Sequence, residues 1–438
     1  MTNALLAERF KALSPEKQKL FLRRLQQSQS KTLEQSPARP TTIPLAPSQQ
    51  RLWFLDKIDE QSAAYNIFMA VKIVGPVNSN DLKQSINQII QRHENLRTTF
   101  HEGEVGPYQV IHQHQEPDFE VLQPNSKQAL ADLIDQTVLH QFDLGVGPLY
   151  KIRLFASGTN EYVLVFVMHH IISDGWSLGV FFHELKLNYQ SLQKHDLLSI
   201  RPHSMPPLAT QYADYAISQT QKVEAGQFSN QLDYWLDKLE GAPALLDFPF
   251  DNSRQPSHHD EDESSKLNGG TSRFTINSEL LQKIQGLARE SQSSLFMVGF
   301  AAYSALLNLY SRQDDIVIGT PIANRQQKEL EPIIGFFVNS LALRMQFHPE
   351  MTFAELLQQV RDTSLEAYEN QDIPFNKVVE GLSLSRNLDY NPVFQTMFIV
   401  QNAPVNNEEV AGLKVTPSPL PQHKPMFDLM FSLTEANG

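Results

Sequence analysis

The pattern of apolar and polar residues changes along the chain from strand-like to helix-like segments and back, which predicts an α/β protein. Residues 67–74 are a strand candidate, and 81–94 carry their apolar side chains on one helical face. Residues 162–168 are nearly all β-forming, as expected for a strand that is covered on both faces. Helices are predicted at 178–191 and near 208–220. The first half of the chain therefore alternates strands with helices.

The second half repeats this alternation. The elements predicted there are strands at 271–276, 316–319 and 393–400 and helices at 278–290, 294–311 and 351–370. The repetition favours two similar α/β lobes, with their junction near 220–230.

The N-terminal segment differs from this body. Residues 4–27 are predicted to form an amphipathic helix or helical hairpin, within a linker or docking segment that spans 1–30. The polar, proline-containing stretch 31–42 is expected to be a flexible connector. The two lobes are assigned to 43–220 and 221–438. For the helix, docking to another protein and a plain linker role are both open.

The composition excludes several classes of function. Among 438 residues there is no cysteine, which removes disulfides, thiolate metal sites and a cysteine nucleophile and fits a reducing cytoplasm. The formal net charge of −13 argues against nucleic acid binding, since phosphate contacts need a basic surface. No export signal and no apolar run of bilayer length is present. A cytoplasmic protein without membrane contact, monomeric as a domain, is expected.

The candidate chemistry lies in the run HHIISDG at 169–175, directly after the predicted buried strand. Neighbouring side chains of a strand point to opposite faces, so one histidine should face a cavity and the other should pack into the core. The same geometry disfavours a metal site at this pair, and two purely structural histidines are the competing interpretation. Gly175 is expected to permit a backbone turn that a Cβ would obstruct.

A histidine at a strand end can accept a proton at neutral pH or orient a nucleophile. Asp174 could activate it directly, or it could hold the loop by pairing with a cation. No Gly-x-Ser-x-Gly run occurs, which favours direct acyl transfer without an enzyme-bound intermediate. The histidine-containing and acidic run at 258–263 lies in a polar stretch, so a solvated loop is expected there and no metal site.

HHIISDG resembles the signature of the condensation domains of non-ribosomal peptide synthetases, which are related in fold to chloramphenicol acetyltransferase. Further runs resemble other motifs of that family, in the family's order. These runs are PLAPSQQRLWFL at 44–55, RHENLRTTF at 92–100, YADYA at 212–216, IGFFVNS at 334–340, NQDIPF at 370–375 and NPVFQ at 391–395. Each run is a weak signal alone, but the ordered set is highly specific.

A few positions depart from the family pattern. Ala46 and Ser48 stand where serine and alanine are usual, and Ser218 stands where tryptophan is common. Ser340 occupies a usual threonine position, and Asn376 replaces a usual glutamate.

The resemblance implies roles for individual residues. His170 would be the catalytic histidine, which positions or deprotonates the acceptor amine, and Gly175 would approach the reacting centre. Asp174 would be structural and would pair with Arg325, with His169 also supporting the site. The residues expected to line the substrate tunnel are Trp176, Ser177, Asn339 and Ser340.

The resemblance also implies an architecture and partners. Two acetyltransferase-like lobes would form a V-shaped pseudo-dimer with the tunnel at their interface. Donor and acceptor peptidyl carrier proteins would deliver their units on phosphopantetheine arms, so the domain itself would bind no cofactor. An adenylation domain would lie adjacent, and an upstream subunit of the synthetase could dock through residues 1–30, as the initial methionine suggests.

Alternatives within the fold remain. Epimerisation domains share the histidine motif, and non-catalytic recruitment modules share the fold but usually lose the second histidine or the glycine. The runs at 44–55 and 334–340 favour condensation, with an L-configured donor. Family members continue past the strand predicted at 427–433, which leaves the completeness of the second lobe open.

Overall fold

The computed structural model describes most of the chain beyond the N-terminal segment. The described residues are 39–58, 63–104, 106–193, 205–249, 269–382, 390–401, 408–418, 420 and 426–435. The predictions for 1–30, for most of 31–42 and for 258–263 lie outside them.

The first half contains seven of the strands and five of the helices that the structure describes. They are β1 (Ile43–Pro44), α1 (Pro47–Ile58), β2 (Asn66–Val74), α2 (Ser79–Arg92), β3 (Thr98–Gly103), β4 (Gly106–Ile111), β5 (Phe119–Leu122), α3 (Lys127–Val138), β6 (Tyr150–Gly158), β7 (Glu161–His169), α4 (Gly175–Gln193) and α5 (Tyr212–Glu224).

The second half begins with a helix that starts five residues after α5 ends. Its described elements are α6 (Ser229–Leu239), α7 (Ser278–Glu290), α8 (Leu295–Ser311), β8 (Asp315–Ile322), β9 (Asn339–Gln346), α9 (Phe353–Glu369), α10 (Phe375–Gly381), β10 (Thr396–Gln401), β11 (Glu408–Val410), β12 (Leu413–Pro417) and β13 (Leu429–Thr434).

The largest sheet has six strands in the order β11-β12-β2-β7-β6-β5. Strand β7 is central and antiparallel to both neighbours, and its Val165, Phe166 and Val167 are fully buried. This confirms the strand predicted from its continuous β-forming run. In the register with β2, the last residue of β7, His169, lies opposite Asn66. The candidate chemistry thus begins where the most buried strand ends.

The second half has its own sheet, in the order β13-β10-β8-β9. Strands β8, β10 and β13 are parallel, and β9 is antiparallel to β8. Helix α8 covers this sheet, with the rings of Phe300 and Phe398 edge to face at 5.7 Å. A three-stranded sheet, β1-β4-β3, lies beside the first lobe.

The two halves have separate hydrophobic cores, but two segments from the second half of the sequence pack with the first half. Strand β12 pairs with β2, so that Lys414 lies opposite Val74 and a second-half segment extends the first-half sheet. Ile334 likewise belongs to the first core although it lies in the second half of the sequence. A single dividing point in the sequence therefore does not separate the two packing units.

One predicted element is wrong. Residues 271–276 form no strand in the structure, and Phe274 is 58% exposed with its ring tilted against Phe431. No strand among the described residues pairs with this β-forming segment.

Among the described residues, no single helix has the length and apolar character of a membrane span. Only α7 and α8 pass that test of length and composition as a pair, and they are bent by 103° at their junction.

Candidate active site

His170 begins a short 3-10 turn, His170–Ile172, immediately after β7. Its backbone N–H donates to the carbonyl of Tyr65 at 2.8 Å, which holds the turn against the loop before β2. The ring Nδ1 lies 2.8 Å from the carbonyl oxygen of Ser173. Because a carbonyl can only accept, Nδ1 must carry the proton, and the neutral ring therefore has its lone pair on Nε2.

The surroundings keep this imidazole neutral. Burial lowers the pKa of His170, and the Ser173 carbonyl and the carboxylate of Asp174 oppose that shift only in part. The ring of Phe336 packs edge to face against it, with centroids 4.9 Å apart. Among the described residues, none makes a hydrogen bond with Nε2. The imidazole thus has a fixed tautomer and a basic Nε2 without a hydrogen-bond partner among the described residues, although His170 itself is not among the residues that line the cavity described below.

His169 has the opposite environment. Its side chain is 2% exposed and packs on the edge of Phe142. Its Nδ1 accepts the backbone N–H of Ile171 at 3.2 Å, and burial lowers its pKa to about 3. The imidazole is therefore a neutral core group. The two histidines face different surroundings, as predicted, although His170 belongs to the turn rather than to the strand.

Asp174 is fully buried and supports the site without contacting the imidazole through a hydrogen bond. Its Oδ1 lies 3.2 Å from a terminal nitrogen of Arg325. Its Oδ2 accepts the backbone N–H of Phe337 at 3.1 Å. Its Oδ1 also accepts the backbone N–H of Ser177 at 2.8 Å, as a helix N-cap does. Of the two roles open for Asp174, the geometry fits cation pairing.

Arg325 completes the bridge between the halves. Its second terminal nitrogen donates to the carbonyls of Leu330 and Ile333, both at 2.6 Å. Its guanidinium lies over the ring of Phe337 at 4.0 Å from the centroid. Burial lowers its pKa and the charge of Asp174 raises it. Both terminal nitrogens of Arg325 and both oxygens of Asp174 are hydrogen-bonded, which offsets the desolvation of the buried pair, while Nε of Arg325 has no partner among the described residues.

Ser177 belongs to this support rather than to a tunnel wall, which corrects the prediction. Its side chain is fully buried, and its Oγ lies 2.7 Å from Asp174 Oδ1 and 2.9 Å from the carbonyl of Gly335. The same oxygen accepts from Arg325 at 2.8 Å. With these partners, no polar atom of Ser177 is left to face a substrate.

Gly175 begins α4. The prediction that it permits a backbone turn that a Cβ would obstruct is wrong. Its φ is not left-handed, and a Cβ built on it would meet no atom within 4 Å. The glycine thus leaves open space rather than permitting a strained turn. Trp176 beside it is 44% exposed and donates from Nε1 to the carbonyl of Glu331 at 2.9 Å.

Asn339 also serves the scaffold. Its Nδ2 donates to the carbonyls of Gln371 and Ile373, at 3.0 and 2.7 Å, and its Oδ1 accepts the N–H of Phe375 at 2.9 Å. All its polar atoms are used by the backbone ahead of α10. Ser340 lies on β9 opposite Pro321, partly buried.

A cavity of about 1990 Å³ opens between the two halves. First-half elements α1, α5 and the β3–β4 hairpin form one side, and α10 with residues 390–395 and 426–428 forms the other. Tyr65, which binds the backbone of His170, is among the residues that line it. None of the four predicted tunnel residues lines this cavity, because they lie in the support around Asp174 or on other surfaces.

The chain matches the family model of the condensation domain over residues 40–438. The chain belongs to the condensation-domain family. One of the linear gramicidin synthase proteins of Brevibacillus parabrevis is 38% identical to it over 86% of the chain, which spans only 7% of that protein. The predicted family and the amide-forming enzyme class are confirmed.

Solved structures agree with the fold. The X-domain from teicoplanin biosynthesis is 26% identical to this condensation domain, with a TM-score of 0.81 over 92% of this chain and 88% of that one. The condensation domain of the monacolin K polyketide synthase MokA is 22% identical, with a TM-score of 0.75 over 91% of this chain and 90% of that one. The predicted fold class is confirmed.

Several site residues of this condensation domain were not predicted as such. Tyr65 and Phe336 contact His170 directly, one through its carbonyl and one through its ring. His93 is fully buried, lies 3.0 Å from Glu184 through Nε2, and accepts the backbone N–H of Ile334 at 3.3 Å through Nδ1. His93 and Phe336 lie in the recognised runs, so position in a motif was the available signal.

Proposed function

We propose that this condensation domain forms a peptide bond between two units tethered to carrier proteins. The donor is an aminoacyl or peptidyl thioester of L configuration, and the acceptor is the amine of an aminoacyl thioester. Both arrive on phosphopantetheine arms of peptidyl carrier proteins, with an adenylation domain adjacent in the same synthetase. Membership of the condensation-domain family and likeness to peptide synthetases support this assignment.

The observation that carries the proposal is the free Nε2 of His170. An amine attacks a thioester only in its neutral form, so an aminoacyl ammonium must lose a proton before or during attack. The neutral imidazole, with its proton held at Nδ1 by the Ser173 carbonyl, presents a lone pair that can accept a hydrogen bond or the proton.

In the proposed step the acceptor nitrogen attacks the donor carbonyl carbon. The C–N bond forms, the C–S bond breaks, and the donor arm leaves as a thiol after it takes up the proton released by the amine. Positioning and general base catalysis by His170 both use this one tautomer. The alignment of two tethered reactants supplies a large share of the rate, since it replaces a bimolecular encounter.

Recruitment without catalysis is the contrasting use of the fold, and one similar structure is a complex of the X-domain and OxyB from teicoplanin biosynthesis. Here the second histidine and the glycine are both present. The neutral imidazole and the open space at Gly175 support catalysis instead.

The test loads two purified carriers with different aminoacyl groups and follows dipeptidyl-carrier by intact mass. Wild type should give product, and His170→Ala should lower the initial rate about 100-fold or more, the usual contribution of general acid–base catalysis. The matched control is His183→Ala, an exposed histidine of α4, which should leave the rate unchanged. Absence of product from folded wild type would refute the function, and an unaffected His170→Ala would refute the role. Exchange of the α-proton without peptide formation would indicate epimerisation.

A further inference from the structure

The cavity between the halves is lined by one cation, Arg51, that has no anionic partner among the described residues. Arg51 of α1 lines the cavity and is partly buried, and its guanidinium lies over the face of Phe375 at 5.7 Å from the centroid. Within the part of the chain that the structure describes, Arg51 makes no hydrogen bond and no ion pair. The ring contact orients the guanidinium but leaves its N–H donors unused.

Two other residues that line the cavity, one on each side of it, also contain an unsatisfied polar atom. Trp53, also on α1, is 8% exposed, and its buried Nε1 has no hydrogen-bond partner among the described residues. Asn376 directly follows Phe375, and its buried Oδ1 has none either. Buried polar atoms are nearly always paired, so unpaired atoms in two residues that line the cavity favour a polar partner that the described residues do not supply. The side-chain amide of Asn376 contains both an acceptor oxygen and a donor nitrogen.

The charges around the cavity are unevenly distributed. Arg51 is the one cationic side chain among the described residues that line it. The carboxylates that line it are all at least partly exposed: Glu104, Glu224, Glu380 and Asp428. Glu380 is moreover paired with Lys377 at 2.7 Å. Water screens these rim charges, whereas Arg51 lies further in.

The guanidinium is therefore the strongest unmatched group of the cavity. Burial lowers the pKa of Arg51, and the nearby phenol of Tyr65 offsets this only in part. A carboxylate matches a guanidinium in charge and in its two-pronged geometry, and such hydrogen bonds are about twice as strong as neutral ones.

We propose that Arg51, with Trp53 Nε1 and Asn376, forms a subsite for a carboxylate carried by one of the two tethered units. The substrate class is an aspartyl or glutamyl unit, whose side chain enters the cavity while its thioester or amine reaches His170. The inference rests on the proposed function, since the carboxylate arrives on a carrier-bound unit. Tethering to the carrier gives the acidic unit a high effective concentration at the cavity, which offsets its repulsion by the carboxylates at the rim.

The test compares matched substrates that differ only in charge. One carrier is loaded with aspartyl or asparaginyl groups, and in parallel with glutamyl or glutaminyl groups, while the other carrier holds alanyl groups. The loaded carrier is used once as donor and once as acceptor, which identifies the arm that uses the subsite. Wild type should favour the acidic unit over its amide by about 10-fold or more on one arm, the usual effect of a hydrogen bond to a charged group.

Two variants locate the effect. Arg51→Gln should reduce the ratio of acidic to amide rates to near one. Asn376→Glu should do the same with Arg51 still in place, because it puts a carboxylate next to the guanidinium. The matched control is Arg289→Gln, an exposed arginine of α7, which should keep the wild-type ratio. Thermal melting of each variant identifies any that fails to fold, and Asn376→Glu tests the subsite independently of the loss of Arg51.

The outcomes separate the inference from the function on which it rests. If wild type joins asparaginyl and alanyl units but shows a ratio below about 3 on both arms, the carboxylate subsite is refuted while condensation stands. A preference that persists in both variants also refutes it. If no pair of units gives product with folded wild type, the proposed function fails first.

Discussion

The buried pair of Asp174 and Arg325 allows a quantitative test of how the two halves are joined. We expect Asp174→Asn to lower the free energy of unfolding by about 3–5 kcal/mol, because it leaves a buried guanidinium without a counter-charge. Arg325→Met should lower the free energy of unfolding by a similar amount, since it leaves the buried carboxylate without a counter-charge. It also removes the donor to the carbonyls of Leu330 and Ile333.

The double variant distinguishes this reasoning from simple loss of packing. Once one charge is gone, removing the other relieves the uncompensated partner, so the double variant should be more stable than the sum of the single losses predicts. A coupling of about 2 kcal/mol or more is expected for two groups that share one buried network. The carbonyls of Leu330 and Ile333 still lose their donor, so the double variant should remain below wild type.

Urea denaturation followed by tryptophan fluorescence, with midpoints compared at constant slope, measures the cycle. The same cycle on Lys283 and Glu279, an exposed pair at 2.8 Å on α7, is the control and should give a coupling of about 0.3–0.5 kcal/mol. Additivity within about 0.5 kcal/mol at Asp174 and Arg325 would refute the claim that the buried charges depend on each other.

Three further changes test the support of the site. His169→Gln should flatten the acid side of the stability curve, because His169 has a pKa of about 3 in the folded protein and of about 6.5 in the unfolded chain. Between pH 7 and 4.5 the free energy of unfolding of wild type should therefore fall by roughly 2.5 kcal/mol more than that of the variant, as measured by urea titrations at both pH values. The free energy of unfolding of Gly175→Leu should stay within about 1 kcal/mol of wild type, because no described atom lies where the side chain starts. The variant should nevertheless form dipeptide at least 10-fold more slowly, because the new side chain fills the approach to His170. An unchanged rate would contradict that placement of Gly175. Asn339→Ala should cost about 1–3 kcal/mol in the same denaturation assay, since three backbone groups ahead of α10 lose their partner.

The sequence predicted the fold where local pattern determines structure. The run that became β7 and the apolar face of α2 were found because periodicity is a local property. The strand expected at 271–276 failed because a β pattern is only stable with a neighbouring strand. The pairing of β12 with β2 was not foreseen, since a contact between Lys414 and Val74 has no local signature.

For the site, the sequence predicted which residues are present better than it predicted where their side chains point. His170, Asp174 and Arg325 were all expected, and the structure brings the ion pair together beside the imidazole. Ser177 and Asn339 were expected in a tunnel wall, yet their polar atoms bind the scaffold. Where a side chain points in the first turn of α4 or at the start of β9 depends on partners far along the chain. A motif gives residue types in order, and orientation requires those partners.

The environment of the His170 imidazole depends on both halves of the molecule. The first half provides His170 and the carbonyl that fixes its tautomer, and the second half provides the Phe336 ring that packs against it. Phe336 is held between Gly335, bound to Ser177, and Phe337, bound to Asp174. Asp174 and the Tyr212 hydroxyl, which donates to the carbonyl of Phe336 at 2.7 Å, together hold the segment that carries the ring. The packing of the second half on the first therefore sets the position of the ring that contacts His170.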